Sequence, residues 1–156
     1  MNKLQELRKI LIEKGLNISV AESCTGGMLA QHLTKYPGSS SYFDRGFITY
    51  TNQSKIDELG VNSSAIDEFG AVSLEVASEM VKGVNKKSRT SISISITGIA
   101  GPGGATSGKP VGTVCFGFIV NGELFAEKKL FSGDRDLIIQ ASVDYAIEYI
   151  VKIDWK

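Results

Sequence analysis

A polar turn near the amino terminus carries the side chains best suited to nucleophilic chemistry. Residues 22–27 read Glu-Ser-Cys-Thr-Gly-Gly, between a short β-type run at 18–21 and a helix start at 28–35. A hydroxyl or thiol at a strand-to-helix turn is exposed beside free backbone N–H groups, which can hold an oxyanion or a phosphate. An ordinary helix N-cap has the same composition, so the spacing alone leaves a catalytic and a structural role open.

The nucleophile of this turn needs a base. Cys24 is intrinsically more nucleophilic than Ser23, but a catalytic thiol normally needs a histidine, and His32 is the only one in the chain. A serine served by a lysine needs no histidine, provided that the amine is partly desolvated. Lys55 is such a candidate because it follows a predicted strand end, where sites in α/β sheets gather. A solvated helix lysine is the alternative at this position.

A glycine-rich segment, residues 97–112, is the second candidate site. Residues 103–109 match the GxxxxGK part of a phosphate-binding loop, but Pro110 stands where a Ser or Thr would hold Mg²⁺, and a β-type run follows instead of a helix. These departures exclude nucleotide hydrolysis by that motif. We expect the glycines to let backbone amides approach a ligand, with a mobile surface loop as the alternative. The hydroxyl of Thr97 could face the site at the loop entry.

The elements that must position these residues follow from periodicity and turn signals. Helices are predicted over 2–14, 28–35, 52–59, 63–69, 74–86 and 134–150, and strands over 18–21, 47–51, 91–96, 111–120 and 124–131. The dipeptide Asn121-Gly122 predicts a hairpin between the last two strands. This order predicts a mixed sheet covered by helices, in one α/β domain over residues 1–156. At the start of the last helix, Asp134 to Asp136 predict a cap and a salt bridge, with Arg135 as a candidate phosphate ligand.

Composition narrows the function classes. The chain has 156 residues, 42% hydrophobic, with 17 basic and 17 acidic side chains. This balance argues against disorder and against a general nucleic-acid binder. No apolar run is long enough to cross a bilayer and no signal peptide is recognised, so a cytoplasmic protein without a membrane partner is expected. The two cysteines are not spaced as metal ligands, and a single histidine cannot form a multi-histidine metal site. The number of acidic residues leaves a carboxylate-only Mg²⁺ site open.

Five blocks of sequence carry a resemblance over nearly the whole chain. They are VAESCTGG at 20–27, PGSS at 37–40, GAVS at 70–73, TGIAGP at 97–102 and KPVGT at 109–113. In this order they resemble the CinA C-terminal domain family, which includes stand-alone nicotinamide-nucleotide amidases. The resemblance implies a three-layer α/β/α sandwich with a mixed sheet. It also implies hydrolysis of the carboxamide of nicotinamide mononucleotide to nicotinic acid mononucleotide and ammonia.

The resemblance also implies roles for individual residues. Ser23 matches the family's nucleophile, and the block at 50–55 carries across the activating Tyr50 and Lys55. Residues of the turn and of the glycine segment are then expected to bind the substrate through backbone N–H groups, and Thr97 and Arg135 through their side chains. The substrate-binding residues are Thr25, Gly26, Gly27, Thr97, Gly98, Gly101, Gly103 and Arg135. No metal or organic cofactor is required by such acyl transfer.

Two other functions compete with this hypothesis. One is a catalytically inactive, nucleotide-binding module that regulates a partner. The other is a serine amidase that acts on a different small amide. In each case the expected partner is a small molecule and not a nucleic acid. A homo-oligomer is also expected, with a dimer as the simplest form, since the hydrophobic hairpin edge or Trp155 could pair subunits.

Overall fold

Five strands form one mixed sheet in the order β2-β1-β3-β4-β5 in the computed structural model, which describes residues 1–156. The strands are β1 (Ile18–Glu22), β2 (Phe43–Ile48), β3 (Ile92–Gly98), β4 (Thr113–Val120) and β5 (Glu123–Leu130). The helices are α1 (Lys3–Glu13), α2 (Met28–Leu33), α3 (Asn52–Leu59), α4 (Ser63–Phe69), α5 (Leu74–Ser88) and α6 (Arg135–Val151), with a 3-10 turn at Ser39–Ser41.

The strand directions place three chain turns at one edge of the sheet. β1 lies between β2 and β3 and is parallel to both, whereas β4 and β5 are antiparallel additions. The carboxyl ends of β1, β2 and β3 therefore meet at the same edge. This is where α/β sheets normally build their sites.

Helices cover both faces of the sheet and confirm the predicted three-layer α/β/α sandwich. Helices α1, α2 and α6 enclose the larger core cluster on one face, where Ile92, Ile94 and Ile96 are fully buried. Helices α3, α4 and α5 enclose a smaller cluster on the other face. None of the helices combines the length and apolar character that crossing a membrane requires.

The alternating strand β3 is buried on both faces. Its isoleucines enter the larger core as the pattern predicts, while Ser93 and Ser95 are fully buried on the opposite face. The Ser95 hydroxyl donates to the Ala77 carbonyl of α5 at 2.7 Å. Small residues are required here, since a Cβ added at Gly117 of β4 would lie 2.5 Å from the same carbonyl oxygen. The serines thus let α5 approach the sheet closely.

The predicted strand at 47–51 is wrong in its bounds, because β2 spans Phe43–Ile48. Hydrogen bonding explains the difference. Thr51 is the N-cap of α3 and forms a reciprocal capping box with Ser54. The residues of this segment also have high β propensity, and for this reason the sequence pattern predicted a strand here. Residues 49–51 therefore connect β2 to α3, and Thr49 still donates its N–H to the Glu22 carbonyl at 2.9 Å.

Candidate active site

Ser23 lies at the carboxyl end of β1, the strand between β2 and β3. Its backbone N–H donates to the Ile96 carbonyl of β3 at 3.0 Å, which continues the sheet pairing for one residue. The chain then turns through Gly26 and Gly27, both with positive φ, into α2. The turn therefore uses glycine for its conformation, since L side chains rarely adopt positive φ.

Lys55 reaches Ser23 from α3, on the neighbouring strand connection. Its side chain is fully buried, and its Nζ lies 3.0 Å from Ser23 Oγ. The same nitrogen lies 3.1 Å from the Thr49 carbonyl oxygen and 3.4 Å from the Tyr50 carbonyl oxygen. No carboxylate forms an ion pair with it. The two side chains that the sequence nominated as nucleophile and base are thus in direct contact.

Burial makes the Lys55 amine easier to deprotonate than an exposed lysine. It lowers the pKa of the amine, and Cys24 opposes this with a lesser effect. A neutral amine has two N–H donors and one lone pair. When the carbonyls of Thr49 and Tyr50 accept those N–H groups, the lone pair is left for the Ser23 hydroxyl, which in the resting structure donates to the Tyr50 carbonyl oxygen at 3.4 Å. This geometry suits a general base that takes the serine proton.

Cys24 is poorly placed to be the nucleophile. The residue is 7% exposed, and burial raises the pKa of the Cys24 thiol to about 12. The reactive thiolate is therefore scarce near neutral pH. His32 does not assist it: the ring Nδ1 lies 2.8 Å from the Met28 carbonyl oxygen in its own helix, and the residue does not line the cavity at Ser23.

A cavity of about 280 Å³ opens at Ser23. The remainder of its lining comes from Cys24, Tyr50, Val72, Arg135 and six residues of the glycine segment, which are Gly98, Ile99, Ala100, Gly101, Gly103 and Gly104. The structure therefore brings the predicted Gly98, Gly101, Gly103 and Arg135 next to Ser23. A larger cleft of about 430 Å³ lies near the C-terminus against Phe125, Tyr149 and Trp155, but it contains no pair of nucleophile and base.

Arg135 bridges two walls of this cavity. Its Nη1 donates to the Gly101 carbonyl and its Nη2 donates to the Tyr50 hydroxyl, both at 2.9 Å. No carboxylate lies within salt-bridge distance of it, so its positive charge is uncompensated. Asp134 caps α6 through the Leu137 N–H as predicted, but the predicted salt bridge within residues 134–136 does not form. An unpaired guanidinium at a cavity suits an anionic ligand.

Other predicted site residues point elsewhere. The Thr97 hydroxyl donates to the Ala71 carbonyl at 2.9 Å, and the Thr25 hydroxyl donates to the Glu22 carboxylate at 2.7 Å. Neither residue lines the cavity, and neither Gly26 nor Gly27 does. The Tyr50 phenol contacts Arg135, while only its backbone carbonyl reaches Lys55. These residues therefore shape the site and do not offer free hydroxyls to it.

Glu22 is a residue that no sequence pattern singled out. It is fully buried next to Ser23, and its carboxylate accepts hydrogen bonds from the Thr25 hydroxyl and the Leu29 and Ala30 N–H groups. The signal that could have identified Glu22 is an acidic residue at the end of the buried strand β1. The carbonyls of Thr49 and Tyr50 could not be found by residue type, because any residue supplies a carbonyl. No group of three or more His, Cys, Asp or Glu side chains could hold a metal ion.

Comparison with known proteins finds relatives in sequence and in structure. The relatives include competence-damage inducible proteins of Alkaliphilus metalliredigens, 48% identical over 91% of this chain, and Caldicellulosiruptor saccharolyticus, 49% identical over 92%. The matched region is 34% and 35% of their lengths, so this chain spans about a third of these relatives.

Crystal structures cover nearly the whole fold. The competence damage-inducible protein A of Klebsiella pneumoniae matches 99% of this chain and 97% of its own, with a TM-score of 0.95 and 30% identity. A competence/damage inducible protein of Agrobacterium tumefaciens matches 97% of this chain and 95% of its own, with a TM-score of 0.89 and 40% identity. The family model of the CinA C-terminal domain matches residues 2–153. The chain therefore belongs to the CinA C-terminal domain family.

Proposed function

We propose that this protein is a serine amidase that hydrolyses the carboxamide of nicotinamide mononucleotide to nicotinic acid mononucleotide and ammonia. One observation carries the proposal: a fully buried lysine amine lies 3.0 Å from the hydroxyl of Ser23 in a cavity. A desolvated amine beside a hydroxyl can activate it without imidazole. The choice of this substrate rests on the family resemblance together with the cation at the cavity.

The first step is attack by Ser23 Oγ on the carboxamide carbon. Lys55 Nζ takes the hydroxyl proton directly, because the Tyr50 phenol is turned toward Arg135 and does not lie between the two groups. The amine becomes an ammonium with three N–H donors. The carbonyls of Thr49 and Tyr50 and the ester oxygen that forms on Ser23 can accept them. The same carbonyls thus orient the base and stabilise its charged form.

The tetrahedral intermediate needs donors for its oxyanion. The backbone N–H group of Cys24, which lines the cavity, makes no hydrogen bond to another residue, and we assign it this role. One such donor is worth about 3–4 kcal/mol in related chemistry. Collapse of the intermediate breaks the C–N bond, and Lys55 returns its proton so that ammonia leaves. Water then attacks the ester on Ser23 while Lys55 takes its proton, and Lys55 returns that proton to Ser23 Oγ as the C–O bond breaks and nicotinic acid mononucleotide leaves.

The nucleotide part of the substrate is assigned to the other end of the cavity. Arg135 supplies an unpaired positive charge, and the backbone N–H groups of Gly101, Gly103 and Gly104 make no hydrogen bond within the protein. Together they offer donors and charge for a phosphate. Apolar side chains of Val72 and Ile99 line the same cavity, which suits the flat face of a pyridine ring.

An ammonia-release assay on three substrates tests the proposal. Nicotinamide mononucleotide, nicotinamide riboside and free nicotinamide share the carboxamide, but only the first carries a phosphate. We expect turnover of the mononucleotide and much weaker turnover of the other two. Equal turnover of all three would support a different small-amide hydrolase. Thermal stabilisation by the mononucleotide without ammonia release would instead support a nucleotide-binding module.

A further inference from the structure

Glu22 joins the strand that leads to Ser23 with the helix that follows it. Its Oε1 accepts from the Thr25 hydroxyl at 2.7 Å and from the Leu29 N–H at 2.8 Å, and its Oε2 accepts from the Ala30 N–H at 3.0 Å. No lysine or arginine forms an ion pair with it. The buried charge is balanced by these three donors, so the side chain cannot move without leaving them unpaired.

These hydrogen bonds connect the two ends of the turn that contains the proposed nucleophile Ser23. Ser23 lies inside the segment that Glu22 ties down, together with Cys24, whose N–H makes no hydrogen bond to another residue. The same carboxylate accepts from the Leu29 and Ala30 N–H groups at the start of α2. Glu22 therefore fixes both ends of the turn that carries Ser23 and Cys24.

The backbone of Glu22 reaches the base as well. Its carbonyl accepts the Thr49 N–H at 2.9 Å, and the Thr49 carbonyl accepts from Lys55 Nζ at 3.1 Å. One residue is thus connected through hydrogen bonds to the nucleophile turn on one side and to the lysine on the other. The side-chain bonds can be changed by substitution while this backbone link is kept.

We propose that Glu22 is a positioning residue for acyl transfer. Its carboxylate holds Ser23 Oγ and the Cys24 N–H group in the geometry that the tetrahedral intermediate requires. The inference rests on the proposed function only in taking Ser23 as the nucleophile. The identity of the amide substrate does not enter it.

The test measures the rate at which a fluorophosphonate labels Ser23, followed by mass spectrometry of the full chain. In that reaction the serine oxygen bonds to phosphorus, fluoride leaves and Lys55 takes the proton. Glu22→Gln keeps the side-chain volume but presents an NH₂ group to one of its donors. We expect labelling to slow by about 100-fold, the effect of a small displacement of reacting groups. Turnover of the mononucleotide should lose kcat by a similar factor with KM little changed.

Glu79→Gln is the matched control. The Glu79 carboxylate accepts the backbone N–H and side-chain amide of Asn62 at the start of α4, and it does not line the cavity. This variant should lose some thermal stability yet label at the wild-type rate. Thr25→Val removes one donor to Glu22 and should slow labelling. Thr25→Ser keeps that donor and should recover most of the lost labelling rate. If Glu22→Gln does not fold, the comparison of Thr25→Val with Thr25→Ser tests the role of Glu22.

Wild-type labelling rates in folded Glu22→Gln, or in Thr25→Val when that pair decides, would overturn the inference. Equal slowing in Glu79→Gln would also overturn it, because the effect would then be one of stability alone. If wild-type Ser23 is labelled but the protein releases no ammonia, the proposed substrate is wrong. The role of Glu22 is then still tested by comparing the labelling rates of the variants. A wild-type Ser23 that does not react would end both.

Discussion

The Nζ of Lys55 and the Oγ of Ser23 lie 3.0 Å apart, although the two residues belong to different strand-to-helix connections. The contact exists because β1 and β2 are adjacent and parallel, so that the turns after both strands leave the same edge of the sheet. Burial then lowers the pKa of the amine and the two nearby carbonyls orient it. The catalytic proposal depends on this relationship.

Replacing Lys55 by Met should remove activity while raising stability. Loss of the base is expected to lower kcat by about 10²–10⁴-fold. The folded-state pKa of Lys55 is depressed, so the unfolded chain binds more protons between that pKa and the ordinary value near 10.5. The wild-type free energy of unfolding therefore rises with pH through this window.

Lys55→Met has no such titration. Its gain in stability should be largest below the folded-state pKa and should disappear above the ordinary lysine pKa. Urea unfolding of both proteins at about pH 7 and about pH 10 measures this difference. A Lys55→Met protein that is less stable than wild type at neutral pH would contradict the desolvation argument.

The pH profile of kcat/KM should have a rising limb set by the Lys55 amine. Because burial lowers its pKa below the ordinary lysine value, the rate should increase with pH as the amine loses its proton and then level off. Ammonia release between about pH 6 and about pH 10 checks this. His32→Gln is the control and should keep the same limb, since that ring lies outside the cavity. A limb that vanishes in His32→Gln would assign the base to imidazole.

Thiol reagents should not inactivate the protein. Cys24 is buried and its pKa is raised to about 12, so iodoacetamide meets very little thiolate at neutral pH. Intact mass and residual ammonia release, followed together over time, measure this. Inactivation in step with one alkylation at Cys24 would show that the thiol is accessible and would reopen its candidacy as nucleophile.

Arg135→Met should weaken binding of the mononucleotide selectively. Loss of a hydrogen-bonded charge at a phosphate typically removes about 1.5–3 kcal/mol, which is roughly a 10- to 150-fold rise in KM. Turnover of nicotinamide riboside, which lacks the phosphate, should change far less. Tyr50→Phe removes only the hydroxyl that Arg135 contacts and should raise KM by a smaller factor. Equal losses on both substrates in Arg135→Met would place the guanidinium away from the phosphate.

Residue patterns predicted the fold well where local signals agreed. The alternation in β3, the hairpin at Asn121-Gly122 and the cap at Asp134 all form as expected. The pattern failed at β2, where a capping box at Thr51 overrides β propensity. These successes and this failure concern interactions between near neighbours in the chain.

Contacts between distant segments explain what the residues alone left open. The sequence predicted Ser23 and Lys55 as candidates. Residue type alone does not show whether Lys55 is a buried base or a solvated lysine, because its position beside Ser23 depends on β1 lying next to β2. Thr97 sits at the right strand end, yet its hydroxyl turns to Ala71. Glu22 bonds to amides seven and eight residues further along the chain, so its role depends on how the local turn folds. Tertiary packing decides the first two cases.

Ammonia release from nicotinamide mononucleotide by folded Ser23→Ala, measured beside wild type, tests the central claim most directly. The proposal predicts steady ammonia release by wild type and none above the protein-free rate by Ser23→Ala, whose fold and melting temperature should be close to those of wild type. Release by Ser23→Ala at the wild-type rate would contradict the proposal, since the Ser23 oxygen would then take no part in the reaction.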